Sequence, residues 1–188
     1  MSRGGPSGVT MVDVVVTFLE LDLATSAVAP ARDPVPLPGR EAVVLELDRI
    51  PPTEAGEVAS TMYRAVGAAW HWTDRLPWSA AEWNQAVDRA DVEVWVARVD
   101  HDIAGYFEIQ QQDHAIELKY FGLMPEFTGR RIGGALLSAV IDRARVRLGT
   151  GRLTVNTCTL DHPAALPNYL KRGFIVVRTE TQRRTLPQ

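Results

Sequence analysis

The sequence predicts an α/β (α+β) chain: one central mixed, mostly antiparallel sheet with helices on both faces, plus an N-terminal strand arm. Three observations lead there. Short β-branched runs follow one another in the first two thirds of the chain, at spacings suited to antiparallel neighbours. The last third alternates strand, helix, strand, helix, strand, and a strand–helix–strand unit needs a parallel crossover. At 188 residues, 46% hydrophobic and 23% charged, the chain holds one domain's worth of core.

Taken in order, Met1–Thr10 is small and polar, and Val12–Leu21 is β-branched and reads as a strand. Prolines at Pro30, Pro34, Pro36 and Pro38 then make a semi-rigid linker in which no regular helix can form. The linker divides two strands but no second core, so residues 1–40 are read as an arm and linker, and residues 41–188 as the domain. The arm is placed to add to a sheet edge of its own domain or of a neighbouring copy, the latter giving a homodimer. Glu41–Leu47 alternates as a second strand. Pro51-Pro52-Thr53 with Glu54 and Glu57 starts a helix running towards Val66. An aromatic loop follows, and Ser79-Ala-Ala-Glu82 is a capping box opening a short helix to about Arg89. Val92–Val99 and Ile103–Gln110 read as a hairpin turning at Asp100-His101-Asp102, and Ile116–Leu123 as the next strand. Ile132, Leu136, Leu137, Val140, Ile141, Ala144 and Leu148 recur at helical spacing. Leu153–Thr157 is then a strand, Ala164–Lys171 a short helix and Phe174–Thr179 the last strand.

Charge and composition narrow the function. A net charge of −3 gives no basic field for nucleic acid. Arg143, Arg145, Arg147 and Arg152 read as a solvated helix face. A single cysteine, Cys158, excludes disulfide frameworks and multi-cysteine zinc sites and makes a reducing, cytoplasmic setting the default. His71, His101 and His114 are not spaced as ligands, so no metal is expected. No apolar run approaches the ~18 residues of a membrane helix. Asp13 interrupts the apolar run at Val12–Leu19, and Glu20 and Asp22 follow it, which argues against an export signal.

The segment Thr128-Gly129-Arg130-Arg131-Ile132-Gly133-Gly134 lies between a strand and a long helix. Free amides at a helix start, with the positive end of its dipole, make an anion site. The glycines allow close approach, and Arg130 and Arg131 add charge suited to phosphate. Neither a Walker loop nor a dinucleotide fingerprint is present. The alternative is a surface loop whose glycines serve only helix–sheet packing.

The stretch from Leu123 to Leu137, with Pro125 and the Thr128–Gly134 loop inside it, resembles the acyl-CoA-binding motif of the GNAT N-acetyltransferase superfamily. Ala165, Tyr169, Gly173 and Phe174 resemble the superfamily's C-terminal signature. The resemblance covers about Val43 to Thr179. The family's phosphate loop usually runs Gln/Arg-x-x-Gly-x-Gly/Ala. One register puts Thr128 at its first position, Arg131 at the first glycine and Gly133 at the last. A shifted register runs from Arg130 to Ala135, and the flanks favour the first. The resemblance implies acetyl-CoA as co-substrate, held by Leu123, Gly129, Arg130, Arg131, Ile132, Gly133 and Gly134. His162 stands where the family has an asparagine. It also implies direct attack by an amine-bearing acceptor, small molecule or peptide, with Glu117 as base acting through water and Tyr169 as acid. Strand alternation puts Glu117 on the side of Lys119, Phe121 and Leu123, where Lys119 would pair with it and weaken it as a base.

Trp70, Trp72 and Trp78 lie where the superfamily places its acceptor side, either as a cage for a cationic amine or as packing. Asp74 and Glu82 are candidate amine partners, and Tyr106, Glu108 and Gln110 share one strand face. A binding module that holds acyl-CoA with little turnover is the alternative to an enzyme.

Overall fold

The structure is a computed structural model, and it describes residues 9–26, 35 and 42–187. Seven strands form one sheet in the order β2-β3-β4-β5-β6-β1-β7. They are β1 (Val9–Asp22), β2 (Glu46–Arg49), β3 (Val92–Val99), β4 (Asp102–Gln112), β5 (Ala115–Leu123), β6 (Arg152–Cys158) and β7 (Ile175–Pro187). Every pairing is antiparallel except β5 with β6. The helices are α1 (Pro52–Gly67), α2 (Ala80–Val87), α3 (Ile132–Leu148) and α4 (Ala165–Lys171). None among the described residues is long and apolar enough to cross a membrane.

Two cores sandwich the sheet. On one face, α1 and α2 bury Tyr63, Val66, Trp83 and Val87 against Val92, Val94, Val96 and Tyr106. On the other, α3 buries Ile132, Leu136, Leu137, Val140, Ile141 and Ala144 against Phe107, Ile109, Ile116 and Leu118, with Tyr169 of α4 in the same cluster. Each large aliphatic side chain there contributes about 1.5–3 kcal/mol by leaving water. The capping box starts α2 as read: the Glu82 N–H donates to Ser79 Oγ and the Ser79 N–H to Glu82 Oε2. Asp100 and His101 both have positive φ, the left-handed pair that a tight hairpin turn requires.

Three expectations are corrected. β1 does not add to an edge. It lies between β6 and β7, antiparallel to both, with Leu19 and Leu21 in the α3-side core. The second strand starts later than Glu41, because Val43 makes an isolated bridge to Val35 before β2 begins. The rest of the proline linker, 27–34 and 36–41, lies outside the described residues. The last strand runs on to Pro187 rather than stopping at Thr179. From Glu180 to Thr185 it is polar and pairs only with β1, so it carries no apolar period to read.

Candidate active site

β5 and β6 pair in parallel only from Ala115↔Arg152 to Leu118↔Val155. Past Leu118, β5 keeps β4 alone, and a gap opens towards its C-terminal end. The cause is local. The β4–β5 register steps from Glu108↔Tyr120 to Ile109↔Leu118, leaving Lys119 as an extra residue. Such a bulge bends its strand and increases its twist. The bulge also sets the amides. Bonded and non-bonded pairs alternate along an antiparallel ladder. The Met124 N–H donates to the Ala104 carbonyl at 2.9 Å, so the next pair, Gly105↔Leu123, is a non-bonded one, and so is Phe107↔Phe121. The Leu123 and Phe121 N–H groups therefore point away from β4, into the gap.

The start of α3 borders the same end of β5. A Cβ on Gly133 would lie 3.5 Å from Leu123 Cδ1. No side chain caps the helix, and no acid sits in its first turn. The helix start is thus electropositive, and Gly133, half-buried, is the residue of its first turn that borders the gap. Arg131, at the N-cap, has φ 65°, a left-handed conformation natural to glycine. It occupies the first glycine position in the preferred register of the loop. Gly129 also has positive φ and is exposed with Arg130, whose guanidinium lies 5.4 Å from the Phe127 ring. Ile132 is fully buried, backbone included, so it packs the helix start and offers a ligand no surface, unlike the contact the resemblance implied. Gly134 has another occupation. Its amide donates to the Arg131 carbonyl, and a Cβ there would overlap Arg172 Nη2. Arg172 bonds Ser138 Oγ and Asn168 Oδ1, while Asn168 donates to the Gly133 carbonyl, tying α4 to the first turns of α3.

Tyr169 is 5% exposed and packs between Phe121 at 6.2 Å and Phe174 at 5.5 Å. Burial, reinforced by Asp161, pushes its phenol well above the ordinary tyrosine value, so it stays protonated. His162 accepts the Ala164 N–H at Nδ1, and its ring stands 5.0 Å from Trp70. The turn after α1 thereby touches the loop after β6. Burial and Asp161 push the Cys158 thiol up, which makes it a poor nucleophile.

Glu117 changes face. Because Lys119 is the bulged residue, Glu117 does not share a side with Phe121 and Leu123. It pairs with Gln110, on the side that carries Glu108 and Tyr120, towards α1 and α2. Its Oε2 accepts Gln112 Nε2 at 2.8 Å and Lys119 Nζ at 3.3 Å, as the sequence led one to expect of Lys119.

The aromatic residues on this face do form a cage, but the chain fills it. Arg75 stands 4.6 Å from the Trp78 ring, 4.3 Å from Tyr120 and 5.5 Å from Trp83, and is bidentate to Glu108 at 2.8 and 3.1 Å. Glu82 is spent on its cap. Trp72 lies over the gap strand, where a Cβ on Gly122 would be in contact with its ring. The sequence did not single out Tyr63 and Tyr120, whose hydroxyls donate to the two oxygens of Asp74 at 2.5 and 2.7 Å. Nor is the arginine cluster simply a solvated face. Arg147 and Arg143 converge on buried Glu93, Arg145 donates to the Ser26 carbonyl, and Arg152 faces Glu20.

A family model describing the acetyltransferase (GNAT) family matches residues 57–174. Among solved structures, a GCN5-related N-acetyltransferase from Sphaerobacter thermophilus matches at 14% identity and TM-score 0.64, over 96% of this chain and 54% of that one. A putative acetyltransferase of the GNAT family from Novosphingobium aromaticivorans matches at 17% and 0.58, over 100% and 71%. The ribosomal-protein-S18-alanine N-acetyltransferase from Escherichia coli matches at 17% and 0.56, over 76% and 93%. These likenesses show a shared fold, the seven-stranded mixed sheet described above. The chain spans only about half the length of the first of these proteins. No curated protein matches it at the threshold the solved structures pass.

Proposed function

The chain belongs to the acetyltransferase (GNAT) family, and from that premise we propose that it is an N-acetyltransferase moving an acetyl group from acetyl-CoA to a primary amine by direct attack. The observation that carries the reading is the unpaired edge of β5: the Phe121 and Leu123 amides turn into a gap that adjoins both the uncapped start of α3 and Tyr169. We assign the activity to residues 41–188, with β1 completing their sheet. The work is placed in the cytoplasm.

The donor supplies an activated acyl group. The Gly133 amide, Gly129, Arg130 and Arg131 hold its phosphates, with Ile132 and Gly134 fixing the helix start beneath them and His162 flanking the mouth. The Leu123 N–H donates where negative charge grows on the acyl oxygen, an oxyanion-type contact from a fixed dipole. Glu117, on the acceptor face, takes the amine's proton through water, since an alkylamine is mostly charged at neutral pH. Tyr169 gives its proton to the departing thiolate, and its burial keeps that proton in place until then.

Calorimetric titration with acetyl-CoA, against desulfo-CoA, tests the cleft, and thiol release with an amine panel tests turnover. Binding without thiol release from any amine would favour the binding-module alternative. Absence of binding would refute the assignment. In a turning-over enzyme, Tyr169→Phe is expected to lower turnover about 100-fold, at the lower end of general-acid effects, with acetyl-CoA affinity unchanged. Equal turnover in that variant would remove Tyr169 as the acid.

A further inference from the structure

Among the polar groups of the acceptor face, most are spent within the fold. Arg75 and Glu108 neutralise each other and Glu82 caps α2, while Glu117, beside Lys119, is the base assigned above. Asp74 differs. It sits in the exposed loop between α1 and α2, and the cation that attracts it, Arg75, makes its ion pair with Glu108 instead. Both of its oxygens are nonetheless fixed, one by Tyr63 and the other by Tyr120. Each oxygen keeps a lone pair beyond the phenol it accepts from. The Trp72 ring stands 5.4 Å from Tyr63 and 5.2 Å from Tyr120, so the two tyrosines that hold the carboxylate are themselves packed against a third ring. A pre-oriented, exposed carboxylate recognises an ammonium group by charge-assisted hydrogen bonds.

The position separates this cation from the reacting nitrogen. Tyr120 is three residues from Leu123 on β5, and Asp74 lies beyond the far end of its phenol. Chemistry makes the same separation. An attacking amine must be neutral, whereas an ionised carboxylate favours the charged form of an ammonium it pairs with. Burial pushes the Asp74 carboxyl up, but the two phenol hydrogen bonds hold it below the ordinary aspartate value, so it stays ionised. A nitrogen bound there remains an ammonium and does not attack.

We infer that Asp74 anchors a second, non-reacting ammonium group of the acceptor, so that the substrate is a small diamine or polyamine. The inference rests on the acyl-transfer reading above for the fate of the other nitrogen. The binding itself is measurable without turnover.

The test titrates the protein, with and without desulfo-CoA, against 1,6-diaminohexane and against hexylamine, reading tryptophan fluorescence and heat. The diamine is expected to bind at least about tenfold more tightly than the monoamine. Asp74→Asn, which keeps the shape and an acceptor oxygen, is expected to abolish that preference while hexylamine binding stays within about twofold. Tyr120→Phe, which frees one carboxylate oxygen, is expected to give a smaller loss. Equal affinity for the two amines, failure of the diamine to bind, or a preference that survives Asp74→Asn would each overturn the inference. Titrating acetyl-CoA into the same samples reads the acyl-transfer proposal separately. Lost cofactor binding with intact diamine preference would sink that proposal and leave the anchor standing.

Discussion

Raising the pH puts a test to the interior that involves no substitution. The chain has four tyrosines, and all four are held above the ordinary phenol range, chiefly by burial. Tyr63, Tyr106 and Tyr169 are buried, and Tyr120 is half-buried with its hydroxyl on Asp74. A group whose folded pKa is raised contributes stability that is whole below its unfolded value, near 10, and is lost as pH rises from there towards the folded value. In that window the unfolded chain releases four protons that the folded chain retains. Each lowers the free energy of unfolding by up to about 1.4 kcal/mol per pH unit, so together they remove up to about 5 kcal/mol per unit. A domain with a typical margin of about 5–15 kcal/mol is then expected to unfold within one to three units above pH 10. The background is small, because only Lys119 and Lys171 are lysines and arginine stays charged. Cys158, whose thiol is likewise pushed up, adds one more proton from about pH 9. Phenolate absorbance near 295 nm and circular dichroism, followed together, are expected to change in one transition. Two or more tyrosines ionising near pH 10 while the dichroism stays native would refute the reasoning.

Two further outcomes follow from packing on the α1 face. Glu108→Gln leaves the Arg75 guanidinium buried, with side-chain exposures of 8% and 3% in the parent pair, and is expected to cost about 3–5 kcal/mol by urea unfolding. Adding Arg75→Met should recover most of that loss; single and double variants of equal stability would show that the pair is not desolvated. Gly122→Ala puts a methyl group into Val66 Cγ1 and is expected to cost about 1–3 kcal/mol, relieved by Val66→Ala. An unchanged urea midpoint in Gly122→Ala would mean that α1 stands further from β5 than described.

Local signals carried much of this fold into the sequence. The Ser79–Glu82 cap, the Asp100–His101 turn and the apolar stripe of α3 each follow from a few neighbouring residues, and each stands where it was read. What escaped was non-local. The bulge at Lys119 has no signature in the alternation of β5; it is fixed by the register of β4 opposite, and it moved Glu117 to the acceptor face. The filling of the aromatic cage by Arg75 depends on Glu108, a strand residue distant in sequence. Asp74 was legible as an acid in an aromatic loop, but its tyrosine partners come from α1 and β5. The left-handed backbone at Arg131 explains how the loop keeps a glycine-like turn without the glycine.

The place of β1 bears on how the chain reaches this state. β1 is flanked on both sides by strands from the far end of the chain, and the sheet cannot close until β6 and β7 exist to receive it. During synthesis it therefore emerges well ahead of its partners. Loop closure over most of the chain must be met before either ladder repays it, which makes this pairing slow. Through that interval a strand bearing Val14, Val16, Leu19 and Leu21 has two open edges, each a template for the wrong neighbour. The feature that completes the native sheet is also the segment most exposed to misassembly on the way to it.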